Sequence, residues 1–411
     1  MPEFLKLLPP SEALETLLQK LPQNRAAFEM IDTIQGLGRI AAEDIISQED
    51  LPSFTRSTMD GYAVRAIDTF GACDALPAYL SLIGEVPMGS QPSFTLQPAE
   101  TALIHTGGML PGGADAVIML EHTQLIPPAE IEIMRAVPAG ENLIYPGEDL
   151  RKGDVIIKKG RIIRPAEIGG LMALGILRFK AVRQPIIGII SSGDEIVRPE
   201  EQPQPGQVRD INSYSLGALV KQYGATPKFY SIVPDWREAL FETVKTAHRE
   251  CEMVIITAGS SASTRDLTAG VIQDLGKPGV LVHGVNIRPG KPTILAICAG
   301  KAVIGLPGNP VSALVIAILF VKPTITRLLG RDPSTIEPHI QARLTTNIAS
   351  QAGREDWVPV HLFSDGEGYR AEPIFYKSNL IFSLVQANGL VQIPPPANGI
   401  SAGDFVNVFL F

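Results

Sequence analysis

The stretch MVIITAGSSASTRDLTAGVIQDLG, residues 253–276, joins strand, loop and helix signals without interruption. An apolar run leads into small and hydroxyl residues, and a charged pair, Arg265-Asp266, precedes the next apolar periodicity. This order is typical of a buried strand that leads into an anion-binding loop at the start of a helix. The loop holds few glycines for a phosphate cradle, so it is open whether a phosphorylated ligand binds there.

The same alternation continues on both sides of this stretch. Further strands are predicted at 185–190, 228–233, 280–287, 293–298 and 302–306. Helices are predicted at 212–224, capped by Asn212 or Ser213, at 235–250, at 266–276 and from about 309 onward. Strands that alternate with helices indicate an α/β domain with a mostly parallel, doubly wound sheet. Ligands of such sheets bind beyond the carboxyl ends of the strands.

The remaining segments carry mainly strand signals. Residues 11–21 predict a short amphipathic helix, and from about 53 to 142 short strand-like runs are separated by Pro and Gly. Strand and helix signals return after 142, which indicates that one domain is inserted into another. The last 80 or so residues alternate apolar and polar side chains, as in a small β-barrel or sandwich.

Composition restricts the class of protein. The 411 residues suffice for roughly two to four domains, and the net charge of −8 argues against a nucleic-acid surface. Cys73, Cys251 and Cys298 are expected to be buried free thiols in a reducing compartment. The N-terminus lacks the pattern of a signal peptide, and the run VSALVIAILFV (311–321) is shorter than the roughly 20 residues that span a bilayer. We therefore expect a cytoplasmic protein without a membrane segment.

Charged side chains follow the predicted strands of the α/β domain. The acidic ones are Asp194, Glu195, Asp210 and Asp266, and the basic ones are Arg288 and Lys291. Converging carboxylates repel each other unless a cation such as Mg²⁺ joins them, whereas cations beside helix N-termini suit an oxyanion. The set predicts a phosphoanhydride held by a divalent metal beside a second anion. The alternative is that each motif is an ordinary loop cap or turn.

Two nucleotide-binding signatures are not supported. No GxGxxG motif follows a strand, which argues against a Rossmann dinucleotide site. The segment GVNIRPGKP (284–292) differs from a phosphate-binding P-loop, because five residues separate its glycines and Pro292 replaces the Ser or Thr that would contact magnesium.

Seven motifs nevertheless resemble one family in order and spacing. They are STMDGYAVR (57–65), HTGGMLPGGADAVIMLEHT (105–123), GEDLRKGDVIIKKG (147–160), SSGDEI (191–196), GQVRDINS (206–213), RPGKP (288–292) and GLPGNPVSA (305–313). The chain resembles, over essentially its whole length, the molybdenum-inserting MoeA family, to which the gephyrin E domain also belongs.

This resemblance implies an elongated homodimer of four-part subunits. The expected parts are a discontinuous N-terminal domain (1–52 and 143–182), a β-rich insertion (53–142), a MoaB/MogA-like molybdopterin-binding α/β domain (183–330) and a C-terminal β-barrel-like domain (335–411). The implied reaction converts adenylylated molybdopterin and molybdate into molybdenum cofactor and AMP, assisted by Mg²⁺ or another divalent metal. The implied active cleft lies between the α/β domain of one subunit and the insertion of the other.

The family's functional positions carry over as follows. Asp60, Thr106 and Asp266 are the expected catalytic residues, and Asp210 and Asp266 the expected metal ligands. The expected pterin-binding residues are Ser191, Ser192, Gly193, Asp194, Glu195, Asp210, Gly259, Ser260, Ser261, Pro307 and Gly308. Molybdate contacts are expected from Arg288, Lys291, Arg354 and Ser378. Asn309, between Pro307 and Pro310, is interpreted as a structural turn residue.

The opening stretch departs from the family pattern. In TAGSSASTRD (257–266), Ala258 and Ser263 replace glycines, Ser260 a valine and Thr264 an aspartate, and elsewhere Arg288 replaces a lysine. Either the loop follows a different path, or these positions never required left-handed backbone. We expect contact with a phosphorylated pterin in an altered geometry. An active molybdenum or tungsten insertase is the main hypothesis. A non-catalytic carrier, sensor or scaffold that binds molybdopterin is the second, and an unrelated nucleotide-binding enzyme the third.

Overall fold

The computed structural model describes residues 7–22, 27–258, 262–333, 338–375 and 377–411, with the backbone alone for 262–266. Contacts divide the chain into two compact units. The first contains Met1–Glu29, Gly38–Ile40 and Ala181–Phe411, and the second contains Met30–Leu37 and Ala41–Lys180. Helix α1 (Pro10–Lys20) belongs to the first unit. Strand β1 (Phe28–Asp32) begins in the first unit and ends in the second.

The second unit is built mainly from short strands. They are β2 (Ile45–Ile46), β3 (Arg56–Ser57), β4 (Gly61–Val64), β5 (Ala78–Val86), β6 (Glu100–Ile104), β7 (Ala116–Met119), β8 (Thr123–Ile126), β9 (Glu130–Ile133), β10 (Leu143–Ile144) and β11 (Val155–Ile157), followed by α2 (Pro165–Ala173). The next strand, β12 (Arg178–Val182), begins in this unit and ends in the first. Six strands form one sheet in the order β7-β4-β6-β5-β9-β8. Its inward side chains, among them Ile118 and Ile131, form a buried core. The predicted β-rich segment is therefore confirmed.

The α/β domain of the first unit has a six-stranded sheet. Its elements are β13 (Ile186–Ser191), β14 (Ile196–Val197), β15 (Val208–Arg209), α3 (Asn212–Gln222), β16 (Thr226–Phe229), α4 (Arg237–Glu250), β17 (Met253–Ala258), α5 (Ala262–Asp274), β18 (Pro278–His283), β19 (Ile287–Arg288), β20 (Ile294–Cys298) and β21 (Lys301–Pro307). The sheet order is β16-β13-β17-β21-β20-β18. The first four strands pair in parallel, whereas β20 pairs antiparallel with both β21 and β18 and so is the one strand of this sheet that runs in the opposite direction. The prediction of a mostly parallel sheet is confirmed.

Helix α5 begins earlier than the sequence predicted. It starts at Ala262, so Ser263 and Thr264 lie in helical backbone, and Ala258 is the last, extended residue of β17. None of these three positions therefore needs left-handed backbone, and the loss of glycine at Ala258 and Ser263 causes no strain. Gly259, Ser260 and Ser261 lie outside the described residues.

A long helix follows β21. It consists of α6 (Pro310–Ile316), a π-helical segment (Ala317–Val321) and α7 (Lys322–Leu328). Within the described residues, this 19-residue helix is the one whose length and composition would allow it to cross a membrane, which the shorter apolar run did not predict. More than half of it is buried inside the protein, where Ile316 and Phe320 are inaccessible to solvent. Packing within the domain accounts for its apolar composition.

The C-terminal domain is a closed β-barrel. Its elements are β22 (His339–Leu344), β23 (Ile348–Ala349), β24 (Glu355–Ser364), β25 (Tyr369–Pro373), α8 (Phe382–Gln386), β26 (Gly389–Ile393), β27 (Gly399–Ile400) and β28 (Phe405–Leu410). The sheet runs β24-β25-β22-β28-β26 and closes through pairing of β26 with β24. Strand β19 of the α/β domain pairs in parallel with the start of β24, which places Arg288 opposite Asp356.

The three cysteines are free thiols, as predicted, but only two are buried. Cys251 and Cys298 lie in the α/β core, and burial raises the pKa of Cys298 to about 11. Cys73 is exposed, so the prediction of burial was wrong for this residue. It lies in a short surface turn, where its backbone forms an isolated bridge with that of Leu76, which is itself exposed.

Candidate functional site

A cavity of about 790 Å³ lies in the first unit, where the α/β domain meets the barrel. We call it the basic cavity. Its lining includes Arg288, Lys291, Arg354 and Ser378, which are the four predicted molybdate residues, together with Pro307. The structure thus brings together side chains that are up to 90 positions apart in the chain. Lys377 also lines the cavity and adds a cation that the sequence did not single out.

Arg354 reaches this cavity from the residue immediately before β24. Asp356 is the second residue of that strand, and the two side chains meet. Arg354 donates from Nε to Oδ1 of Asp356 at 2.8 Å and from Nη2 to Oδ2 at 3.3 Å. Nη1 of Arg288 lies 3.9 Å from the same Oδ2. Asp356 therefore contacts both arginines of the basic cavity.

Ser378 is held by the turn that starts helix α6. Asn309 Nδ2 donates to Ser378 Oγ at 3.0 Å, and the backbone N–H of Val311 donates to the Ser378 carbonyl at 3.1 Å. Asn309 occupies the N-cap of α6 but makes no side-chain cap bond to that helix. An asparagine at an N-cap usually accepts from the first turn of its own helix. Its side chain instead fixes a predicted molybdate residue, so its interpretation as a turn residue alone was incomplete.

A second cavity of about 260 Å³ lies at the carboxyl ends of β13 and β17. We call it the carboxylate cavity. Among the predicted pterin-binding residues, its lining includes Ser191, Ser192, Glu195, Asp210 and Gly308. Asn309 lines both cavities, and Ser378 in the basic cavity is followed by Asn379 in this one. The two cavities therefore adjoin at Asn309.

Asp210 and Asn212 form one wall of the carboxylate cavity. Oδ1 of Asp210 accepts from the backbone N–H of Ser213 at 3.0 Å, so Asp210 supplies the helix cap and the predicted cap by Asn212 or Ser213 was wrong. Asn212 Nδ2 donates to the Gly308 carbonyl at 2.8 Å instead. Its Oδ1 is buried and finds no hydrogen-bond partner among the described residues. A buried carbonyl oxygen of this kind is suited to a bound cation, a donor group or water.

Other predicted pterin residues lie outside this cavity or outside the described residues. Gly193 and Asp194 follow β13 but do not line it. Asp194 Oδ1 accepts from the backbone N–H of Asp235 at 3.2 Å, and Asp235 accepts from Ser192 Oγ at 2.7 Å. Asp235 was not found from the sequence, because its link to Ser192 depends on the pairing of two distant loops. The Asp266 side chain lies outside the described residues, although its backbone is helical.

The second unit brings Asp60 and Thr106 together. Oδ1 of Asp60 accepts from the Thr106 N–H at 2.7 Å and from its hydroxyl at 3.0 Å. His105 contributes weakly, with Nδ1 at 3.9 Å from Oδ1. The hydrogen bonds from the Thr106 backbone and hydroxyl lower the pKa of Asp60 below its ordinary value. Asp60 is therefore ionised at neutral pH, where it can accept hydrogen bonds or bind a cation but has no proton to donate.

The combined geometry favours the binding of anions and a hard cation in adjoining places. Arginine guanidinium and lysine ammonium groups face the larger cavity, while hydroxyl, carboxylate and amide oxygens face the smaller one. In the part of the chain that the structure describes, no group of three or more His, Cys, Asp or Glu side chains forms a ready-made metal cluster. A cation here would share its coordination with a bound ligand.

Comparisons with known proteins show which proteins the chain is similar to. Residues 8–175 match the MoeA N-terminal region (domains I and II), 188–327 match a probable molybdopterin binding domain, and 341–411 match the MoeA C-terminal region (domain IV). A putative molybdopterin biosynthesis protein of Methanocaldococcus jannaschii is 38% identical, over 96% of this chain and 95% of that protein. A molybdopterin molybdenumtransferase of a Nostoc species is 35% identical, over 92% and 88%. The crystal structure of a molybdopterin biosynthesis MoeA protein from Pyrococcus horikosii has a TM-score of 0.82 at 39% identity, over 98% and 99%.

Proposed function

The chain belongs to the MoeA family, and on that basis we propose that it is a molybdopterin molybdenumtransferase. The reaction takes adenylylated molybdopterin and molybdate and yields molybdenum-loaded molybdopterin and AMP. The observation that carries the proposal is the convergence of Arg288, Lys291, Arg354 and Ser378 on one cavity that adjoins the carboxylate cavity. Both substrates are anions, and the two cavities offer them different chemistry.

The basic cavity is the proposed molybdate site. Molybdate is a small dianion with four oxygens, and guanidinium, ammonium and hydroxyl donors match it in charge and hydrogen bonding. Ser378 accepts from Asn309, so its own O–H is available for an anion oxygen. The volume of about 790 Å³ exceeds the needs of one oxyanion and leaves room for the reacting end of the pterin.

The carboxylate cavity is the proposed site for the phosphate-bearing part of the pterin and for Mg²⁺. The fit of a hard cation rests on Asp210 and on the unpartnered Oδ1 of Asn212, both oxygen donors of the kind Mg²⁺ prefers. Asp266 stays a proposed ligand from its motif. When bound, Mg²⁺ would offset negative charge on the phosphate groups. The hydroxyl of Ser191 accepts from Thr257 Oγ1 at 3.3 Å, so its own proton is available to orient those phosphates by a hydrogen bond.

We propose that the active enzyme is a cytoplasmic homodimer of four-part subunits with the boundaries predicted from the sequence. Asp60 and Thr106 would complete the site of the partner subunit. Because Asp60 is ionised, its proposed role is to bind a cation or to accept a hydrogen bond rather than to act as an acid. Thr106 holds the carboxylate in place through its two hydrogen bonds.

Mixing two inactive variants tests the shared site. Asp60→Ala and Lys291→Ala would each lack one half of every site. After subunit exchange, half of the dimers would combine the two variants and regain one intact site, so activity should return to about a quarter of wild type. The measurement is AMP release before and after joint unfolding and refolding. No recovery would contradict a cross-subunit site, provided that each variant refolds as a dimer.

AMP release from the wild-type protein tests the function itself. With adenylylated molybdopterin, Mg²⁺ and molybdate, we expect AMP to appear in step with molybdenum-loaded pterin. Omitting molybdate or chelating Mg²⁺ should slow release, which liquid chromatography of the nucleotide would measure. Tight pterin binding without AMP release would instead select the carrier, sensor or scaffold hypothesis. Comparison of molybdate with tungstate in this assay determines the preferred oxyanion.

A further inference from the structure

Asp356 is a buried acidic residue beside a cavity that is otherwise basic. Its side chain is only 4% exposed, whereas those of Arg354 and Arg288 are 29% and 62% exposed. Ser350 Oγ donates to Oδ2 at 2.9 Å, in addition to the two bonds from Arg354. Three donors thus converge on a largely buried carboxylate in the cavity wall.

The negative charge of Asp356 opposes anion binding by electrostatic repulsion. We therefore look for another way in which this residue favours binding. A long arginine side chain loses considerable conformational entropy when it is held in one rotamer. If it were mobile in the free protein, that entropy cost would weaken ligand binding. Asp356 and Gln351 use three of the five N–H groups of Arg354 and leave two for a ligand. The Asp356 carboxylate therefore orients the Arg354 guanidinium before an anion binds.

The second arginine is linked to the same carboxylate through backbone pairing. Strand β19 aligns Arg288 with Asp356 in the parallel register with β24. The 3.9 Å separation between Nη1 of Arg288 and Oδ2 of Asp356 is an ion pair and leaves the guanidinium free to turn toward the cavity. One acid thus holds Arg354 by hydrogen bonds and attracts Arg288 as an ion pair, although the two cations come from different domains of the first unit.

We propose that Asp356 is a positioning residue of the oxyanion site, which acts through Arg354 and Arg288 on a tetrahedral dianion. This inference rests on the proposed function, since it assigns molybdate to the basic cavity. Its consequence is specific: Asp356 sets the affinity for the oxyanion, while the pterin in the carboxylate cavity is unaffected.

The test compares Asp356→Asn with the wild-type protein. We expect the KM for molybdate to rise about 10- to 100-fold, as when a group that orients a ligand-binding side chain is lost. The kcat at saturating molybdate and the KM for adenylylated molybdopterin should stay within about twofold. Since loss of a buried charge partner is costly to folding, Asp356→Glu provides a second variant. It keeps the charge but displaces the carboxylate, and the same selective rise in KM is expected.

A matched control lies in the same barrel. Asp365 accepts from Arg370 Nε at 2.5 Å in an acid–arginine pair that does not line the basic cavity. Asp365→Asn should leave both KM values unchanged. A parallel change in kcat and both KM values in the Asp356 variants would overturn the positioning role in favour of a purely structural one. An unchanged molybdate KM in Asp356→Glu would overturn it as well.

Calorimetry with molybdate alone separates this inference from the proposed function. Molybdate binding that weakens in Asp356→Glu but not in Asp365→Asn supports the positioning role even if the wild-type protein releases no AMP. Failure of the wild-type protein to bind molybdate, while it still releases AMP, would overturn the inference and leave the enzymatic function standing.

Discussion

Asp210→Asn is expected to reduce AMP release by about 100-fold, the loss typical when one charged or polar group that stabilises the reacting ligand is removed. The substitution removes the negative charge proposed to hold Mg²⁺ in the carboxylate cavity. It also keeps an oxygen that can accept from the backbone N–H of Ser213, the bond that caps helix α3. Because Asn and Asp are similar as helix caps, the free energy of unfolding should change by less than about 0.5 kcal/mol. Rate measurements over a range of Mg²⁺ concentrations check the first effect, and thermal unfolding checks the second.

Asp210→Ala separates the cap from the charge. It removes both, so stability should fall by about 1 kcal/mol while AMP release falls as in the Asn variant. Higher Mg²⁺ should partly restore the rate of Asp210→Asn, because weaker metal binding is overcome by mass action. An Asn variant with wild-type rates and an unchanged Mg²⁺ requirement would remove Asp210 from the proposed metal site and leave it the cap alone.

The sequence predicted those parts of the fold that local patterns determine. Strands such as β13 and β17 are short apolar runs that end in polar residues, so their existence and the parallel sheet followed from alternation with helices. The early start of α5 did not follow. Ser263 and Thr264 are small hydroxyl residues that usually favour caps and loops, yet here they occupy helical backbone.

The candidate site shows the same division. Arg288, Lys291, Arg354 and Ser378 were found because their motifs stand out and resemble a known family. Asp356 was not singled out, and Asn309 was interpreted as a turn residue alone, because the pairing of Asp356 with Arg288 and of Asn309 with Ser378 joins distant segments. The pairing of β19 with β24 brings Asp356 to Arg288, and the bond from Asn309 to Ser378 crosses 69 positions. No local pattern encodes such a register, although the short spacing of Arg354 and Asp356 in the sequence was a usable signal for an ion pair between them.

Gly61→Ala is expected to have the largest effect on the stability of the second unit. Gly61 begins β4, which lies between β6 and β7 in the sheet. A Cβ atom at Gly61 would lie 1.9 Å from the carbonyl oxygen of Ile118, which belongs to the backbone of β7 and has no rotamer with which to move away. Strand pairing would have to shift, so we expect a loss of about 3 kcal/mol or more, at the upper end of overpacking in a core. The midpoint of urea unfolding measures it.

The same shift should reach the proposed catalytic residues. Asp60 immediately precedes Gly61, and Oδ1 of Asp60 holds Thr106 through bonds of 2.7 and 3.0 Å. A displaced β4 would break this pairing, so AMP release should be lost even at temperatures where the variant is folded.

Gly84→Ala is the matched control. Gly84 lies in β5 of the same sheet, and a Cβ atom added there would make an ordinary contact of 3.4 Å with the Phe94 ring. This control should change stability by less than about 1 kcal/mol and keep full activity. Equal urea midpoints for the two variants would contradict this prediction. They would show that the backbone accommodates a Cβ atom at Gly61, and that the Ile118 carbonyl oxygen does not constrain the position of Asp60.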